Sequence, residues 1–383
     1  MATPVLMVLT TLSWFGAARI PRALAKAGFE VTLLTPPGSL AEKSAFISKV
    51  AHIPDNATPM QWVHAFAATV KGTSARLVVP CDGRAFRMLQ RLALAPLEGL
   101  RPEIHRELAT LISDSLGDPA YYRTSVDKTL LSAAAEALGI RVPAYASVGD
   151  AAAAAAFGTA HGYPITLKRP DTGTGDSVAI VPREADVASA FASLARMTPA
   201  DVNAAHDEPL LAEASVRGHT KYYQASAWKG ALLAGFAGEK LNATGDPTAP
   251  ATVNRYHRSD ALRDVAARLA RGFGLTGFFA LQGVVDERSG EYYLTEINRR
   301  LVGGVHRGSD FNVDHCAALH AALHGLPSPT RADLDPGEEH LSVHFPQEWL
   351  RDQDSEWLRN YPVDVPWDDP ELFEAMLALL PTS

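Results

Sequence analysis

Within its first eighty residues the chain alternates between apolar runs of strand length and segments with helical periodicity. That alternation constrains the fold more than any other feature. Strand patterns at 5–12, 30–34, 49–53 and 75–80 are separated by helical patterns at 15–27 and 60–71. Gly28 closes the first helix, and Pro36-Pro37-Gly38 breaks the chain after the second strand. Strands that alternate with helices predict a parallel, doubly wound sheet. The first strand-to-helix turn, Leu12-Ser13-Trp14-Phe15-Gly16, lacks a GxGxxG run, which argues against dinucleotide binding. Asp82-Gly83 follows the fourth strand, at the carboxyl end where ligands of such sheets sit. A plain turn explains the same dipeptide.

Further along, the pattern changes from α/β to α+β. Residues 101–140 are mostly helical, with Asp127 opening a helix that stops at Gly139. Asp150 caps an alanine-rich helix over 151–156, and a strand follows at 165–168. Segments 210–213, 222–228, 231–236, 278–286 and 292–297 read as antiparallel strands, with a turn at Arg288-Ser289-Gly290 between the last two. Helices are predicted over 259–273 and 314–323. After Pro327 the chain turns rich in Asp, Glu, Pro and Trp, and this tail is expected to pack on the body through Trp349, Trp357 and Trp367. The expected boundaries are 1–115 for the N-terminal α/β domain, 116–330 for the α+β part with a small lobe at about 140–220, and 331–383 for the tail.

Composition excludes several classes of function. At 383 residues, with 47% hydrophobic and 20% charged residues, the chain is ordinary globular material for two or three domains. Its 35 basic against 43 acidic residues give a net charge of −8, which argues against a nucleic-acid or anionic-membrane partner. No uninterrupted apolar run reaches the ~20 residues needed to cross a bilayer. The N-terminal apolar run lacks a basic flank and reads as a core strand rather than a signal peptide. Two distant cysteines, Cys81 and Cys316, fit a reducing cytoplasm and form neither a disulfide framework nor a cysteine metal site. Only nine of the basic residues are lysines, and none follows Lys240. The few lysines present therefore call for an explanation.

The stretch richest in chemistry is Gln282 … Glu296-Ile297-Asn298-Arg299-Arg300. Glu296 and Asn298 are two apart at the end of a strand and share a face, and Gln282 is expected beside them across a hairpin. Hard oxygen donors of this kind suit Mg²⁺. Arg300 falls on the same face by parity, where it could hold anionic oxygen. A second set is Lys168-Arg169-Pro170-Asp171-Thr172-Gly173-Thr174-Gly175-Asp176-Ser177, a strand-end lysine leading into a glycine-rich loop. Such loops let backbone N–H groups approach phosphate, although the spacing is not that of a Walker A loop. Lys128 stands forty residues earlier, in Ser125-Val126-Asp127-Lys128. Arg255 could bind a carboxylate or phosphate bidentately. The Gly303-Gly304-Val305-His306 segment is expected to face substrate, with His306 steering the nucleophile or binding substrate. His315, His320 and His324 share a helix without carboxylates and read as structural.

In this order the pieces resemble the ATP-grasp superfamily, over roughly residues 120–330. The resemblance runs from Asp127-Lys128 through Gly162-Tyr163-Pro164-Ile165-Thr166-Leu167-Lys168 and the glycine-rich loop. It continues through Leu210-Leu211-Ala212-Glu213-Ala214-Ser215-Val216-Arg217-Gly218 and Leu275-Thr276-Gly277-Phe278-Phe279 to Glu296–Arg300. It implies a Rossmann-like parallel α/β domain followed by a two-lobed ATP-grasp fold with ATP between the lobes.

In the family's terms, Lys128 and Lys168 contact the phosphates, the loop of Gly173, Thr174 and Gly175 closes over them, and Glu213, Ala214 and Val216 form the hinge that meets adenine. Glu296, Asn298 and Gln282 bind Mg²⁺, with Mn²⁺ as a substitute. Arg300 and Arg255 serve catalysis, and Arg255 and His306 serve the substrate. Two positions depart from the family. Gln282 stands where an acidic residue is more usual, as it also does in the grasp domain of carbamoyl phosphate synthetase. His219-Thr220-Lys221 after Gly218 offers the ribose no carboxylate.

The implied activity is ATP-dependent carboxylate–amine ligation through an acyl phosphate, releasing ADP and phosphate. Its partners would be small carboxylate and amine substrates, in a protein that is a homodimer by family expectation. Activation of bicarbonate, and an ATP-binding regulatory role without turnover, are the alternatives left open.

Overall fold

The structure, a computed structural model, describes residues 2–169, 177–197, 209–244 and 250–380. Four strands, β1 (Thr3–Val8), β2 (Phe29–Thr35), β3 (Lys49–His52) and β4 (Leu77–Pro80), form a wholly parallel sheet in the order β3-β2-β1-β4. β1 and β4 are almost entirely buried, as expected of parallel strands covered on both faces. The helix predicted over 15–27 is split into Phe15–Ala18 and Ile20–Lys26. Pro21 has no N–H to continue the ladder, and the break leaves Arg19 buried at the joint. Asp82 caps the helix Gly83–Leu94 through the Ala85 N–H (2.7 Å). It also accepts from the Thr10 hydroxyl (2.9 Å) and the Thr11 N–H (3.0 Å). Its carboxylate thus ties the carboxyl ends of β1 and β4 together, which is the structural use of the Asp82-Gly83 turn.

A second, antiparallel sheet contains β5 (Tyr145–Val148), β6 (Ile165–Lys168), β7 (Val178–Val181) and β8 (Leu210–Ala214), in the order β5-β8-β6-β7. Val148, Phe157, Ile165, Leu167, Leu194 and Leu210 belong to its core. The third sheet has six strands: β9 (Gly218–Trp228), β10 (Ala231–Ala243), β11 (Ala251–His257), β12 (Gly277–Asp286), β13 (Tyr292–Asn298) and β14 (Glu339–Val343). Their order is β13-β12-β9-β10-β11-β14. The parallel N-terminal sheet and antiparallel remainder match the fold class predicted from the sequence.

Contacts divide the chain into two compact units. One comprises Met1–Ala120, Tyr222–Ala280 and Asn298–Ser383, and the other Tyr121–Lys221 and Leu281–Ile297. In the first unit the tail contributes β14 and places Leu372 and Met376 in the same core as β1 and β2. The tryptophans expected to anchor it do not lead: Trp349 and Trp357 are half-buried and Trp367 is 73% exposed. Acidic side chains hold the tail instead. Asp368 pairs with Arg22 (2.8 Å) and Lys26 (2.7 Å), and Asp369 accepts from the Ser44 hydroxyl (2.6 Å) and the Ala45 N–H (2.9 Å). No helix among the described residues is long and apolar enough to cross a membrane.

Candidate functional site

In the smaller unit, Lys168 ends β6 and Glu213 lies near the end of the neighbouring β8, where cross-strand geometry brings their charges into an ion pair. Glu213 is 3% exposed. The resemblance implied only a hinge role for it, but its carboxylate also holds Lys168. Asp127 caps the helix Lys128–Ala137 through the Thr129 N–H (2.9 Å), and this start directs Lys128 inward. Its ammonium donates to the backbone carbonyl of Arg169, the residue after Lys168 (3.5 Å). Gly173, Thr174 and Gly175 lie outside the described residues.

The segment expected to serve as the hinge is held by backbone bonds on both sides. Ala214 donates to the Ala144 carbonyl (2.8 Å), and the Arg217 carbonyl accepts from Glu287 (2.9 Å). At Gly218 the backbone passes so close to β12 that a Cβ would stand 1.8 Å from the Val285 carbonyl oxygen, so only glycine fits. Val216, between these points, is half-buried.

The hairpin of β12 and β13 carries the expected metal ligands. Asp286 closes its turn by accepting from Ser289 N–H (2.7 Å) and Arg288 N–H (3.0 Å). Glu296 and Asn298 are half-buried on one strand, two residues apart, while Gln282 is exposed. The Thr295 hydroxyl donates to the Gln282 carbonyl (3.1 Å), which sets Gln282 across from the residue beside Glu296. Among the described residues no group of three or more His, Cys, Asp or Glu side chains is arranged to hold a metal. A metal here depends on the mixed set of one carboxylate and two amides, whose oxygens are hard donors and fit Mg²⁺.

The larger unit holds the remaining residues. Arg299 is buried, donates to the Leu116 carbonyl and lies 5.8 Å over the Phe86 ring. Arg300 is half-buried, with its guanidinium 5.4 Å over the Trp14 ring. Arg255, opposite Glu239 in the β10–β11 register, is bonded to that carboxylate and lies 3.6 Å from Glu339. The bonds to Glu239 push its pKa up. Its charge is already matched, which counts against the expected role in binding substrate.

His306 was expected to face substrate from an open loop, but it is only 6% exposed. Its Nε2 bonds to Asp364 of the tail (2.9 Å). Burial pushes its pKa down to about 4, more than the Asp364 carboxylate raises it. Burial alone would raise the pKa of Asp364. Arg19 at 3.8 Å, with the His306 and His344 bonds, instead holds it well below the usual carboxylate range.

Sequence reasoning missed this cluster and the polar residues facing it. Gln224, Asn254 and Tyr256 are buried on β9 and β11. The signal was present in Val253-Asn254-Arg255-Tyr256, where period two alternates polar residues on both faces and hides the strand.

No family model matches the sequence, and no curated protein matches it. Solved structures do. Biotin carboxylase from Campylobacter jejuni, in complex with a βγ-ATP ligand, aligns with a TM-score of 0.67 at 14% identity, over 89% of this chain and 75% of that one. The biotin carboxylase domain dimer of 2-oxoglutarate carboxylase from Hydrogenobacter thermophilus, with MgADP, ADP and bicarbonate, aligns at 0.65 and 14% identity, over 89% and 74%. Carboxyaminoimidazole ribonucleotide synthase from Aspergillus clavatus, complexed with ATP, aligns at 0.64 and 16% identity, over 88% and 81%. At these identities the likeness is one of fold.

Proposed function

Starting from the ATP-grasp fold that the chain shares with these enzymes, we propose that the protein is an ATP-dependent carboxylate–amine ligase. It would form an amide or peptide-like bond and release ADP and phosphate. One observation carries the reading: Glu296 and Asn298 stand two apart at the end of β13, with Arg300 two residues further on. Structures of the same fold hold ATP or MgADP. Lys128 and Lys168 are assigned to the phosphates, with Glu213 orienting Lys168 through the ion pair. Gly173, Thr174 and Gly175 are assigned to the covering loop, and the backbone of Ala214 and Val216 to adenine.

Glu296 and Asn298, with Gln282, would hold Mg²⁺ or Mn²⁺, which supplies charge neutralisation at phosphate oxygens when bound. Arg300 steadies the phosphoryl oxygens as charge builds on them. Arg255 is left without a part in the reaction, because Glu239 and Glu339 hold its charge.

The chemistry follows from the weakness of a carboxylate as an electrophile. Transfer of the γ-phosphoryl group onto it gives a mixed anhydride with phosphate as leaving group, which an amine can attack. Bicarbonate in place of an organic acid is the second reading, favoured by bicarbonate in the Hydrogenobacter structure. ADP release with pooled amino acids, with and without bicarbonate, separates the two. Stimulation by amine-bearing acids supports ligation, bicarbonate-dependent release supports carboxylation, and ATP binding without turnover removes both. A cytoplasmic location agrees with Cys81 and Cys316, both unpaired thiols. A homodimer has the precedent of the Hydrogenobacter domain dimer, and light scattering tests it.

A further inference from the structure

Beside the two lysines assigned to phosphate sits a buried arginine that the reaction above leaves unused. Arg169 follows Lys168 at the end of β6 and is 1% exposed. Its backbone is engaged on two sides. The carbonyl accepts from the Lys128 ammonium (3.5 Å), and the N–H donates to the Ser177 carbonyl (3.1 Å), just ahead of β7. The register of β6 sets Lys168 opposite Val178 of β7 and Leu211 of β8, so this stretch of backbone also fixes where the Lys168 side chain starts.

The guanidinium reaches a different element. Its Nη1 donates to the Leu194 carbonyl (3.3 Å) and the Met197 carbonyl (3.5 Å), at the carboxyl end of the helix Val187–Arg196. The last carbonyls of a helix lack intrahelical donors and carry the negative end of its dipole, so a cation is well placed there. Leu194 shares a core with Ile165 and Leu167 of β6, which makes this helix end a fixed point. All of these residues lie within the smaller unit. A helix cap needs the side chain alone. Here the backbone of the same residue also receives a lysine from another helix, directly after the second lysine and where the glycine-rich stretch begins in sequence.

We propose that Arg169 is a positioning residue for phosphate binding: anchored to the helix Val187–Arg196, it fixes the backbone from which Lys168 projects and to which Lys128 bonds. The inference rests on the ligase reading and deepens its assignment of the two lysines to the triphosphate. Arg169 acts through those lysines and not on the nucleotide, because its guanidinium is engaged with the helix carbonyls. Loss of that anchor lets the Arg169 backbone shift and carries both ammonium groups out of register. Charge-assisted hydrogen bonds depend steeply on distance and direction, so the polyphosphate loses affinity while the nucleoside does not.

The test compares ATP with adenosine on the full-length protein by isothermal titration calorimetry. Arg169→Met, similar in length and without charge, should weaken ATP binding by about tenfold or more while adenosine changes by less than about twofold. Arg169→Lys, which keeps a cation but not the planar fork, should weaken ATP binding by about threefold with adenosine again unchanged. Should Arg169→Met not fold, that same split in Arg169→Lys decides the matter. ATP affinity equal to the parent's in a folded variant would overturn the assignment. So would equal loss of ATP and adenosine affinity at an unchanged melting temperature, the mark of general damage to the unit. A parent that binds no ATP overturns the ligase reading and this assignment with it, whereas a parent that binds ATP beside indifferent variants overturns this assignment alone.

Discussion

Two buried sets of charge serve the molecule differently. In the smaller unit, Lys168 faces one carboxylate, Glu213. In the larger unit, Asp364 gathers Arg19, His306, His344 and the Phe345 N–H around a single side chain. A cation with one partner can exchange that partner for a phosphate or share it. A carboxylate with three hydrogen-bond donors and a guanidinium 3.8 Å away cannot move without stranding them. The first arrangement suits a group that meets a ligand, and the second suits a group that fixes geometry.

The sharpest break in that comparison is Asp364→Ala. It leaves the Arg19 guanidinium buried and uncompensated, and should cost about 3–5 kcal/mol in urea unfolding. Next comes pH. An unfolded histidine takes its proton near 6.5, whereas buried His306 waits until about 4 and buried His315 until about 3. The unfolded state therefore binds more protons in this window, so stability is full above about pH 6.5 and falls as pH drops toward 4. For His306 alone the loss is about 3 kcal/mol. His306→Asn should flatten that part of a melting-temperature profile. Asp364 adds its own loss only below the ordinary carboxylate range near 3.8, because its shift is downward.

For the other set the expectation reverses. Lys168→Met combined with Glu213→Gln neutralises both partners and should cost less than about 1.5 kcal/mol of stability, while ATP-dependent turnover falls about 10²-fold. A large stability loss in that double variant would erase the contrast. The smallest effect is expected at Trp367→Ala, under about 0.5 kcal/mol for an exposed side chain. Leu372→Ala, in the core under the N-terminal sheet, should cost about 2–5 kcal/mol.

Much of the fold was legible because local chemistry and tertiary structure agree. Asp127, Asp150, Ser259 and Asp314 each cap the helix that they precede in sequence. The continuous apolar runs of β1, β2 and β4 announce a sheet buried on both faces. Glu296 and Asn298 were legible as a pair because strand parity is local. What was hidden depends on residues far apart in the chain. Asp364 meets Arg19 across 345 positions, and no periodicity records such a contact. β11 and β14 were missed because Thr252, Asn254 and Ser342 bury polar side chains where an apolar pattern was sought. Tryptophan content misled the reading of the tail, whose anchors are carboxylates with cationic and hydroxyl partners and two aliphatic side chains.

The central claim is that Glu296 and Asn298 serve metal-dependent phosphoryl transfer. The direct measurement is Mg²⁺-dependent ADP release by the parent protein and by Glu296→Gln, with pooled amino acids and bicarbonate supplied and melting followed in parallel. Release by the parent and its loss in the variant, by about 10²-fold or more, are expected at an unchanged melting temperature. Equal release by the two proteins, or none by the parent at any Mg²⁺ concentration, would contradict it.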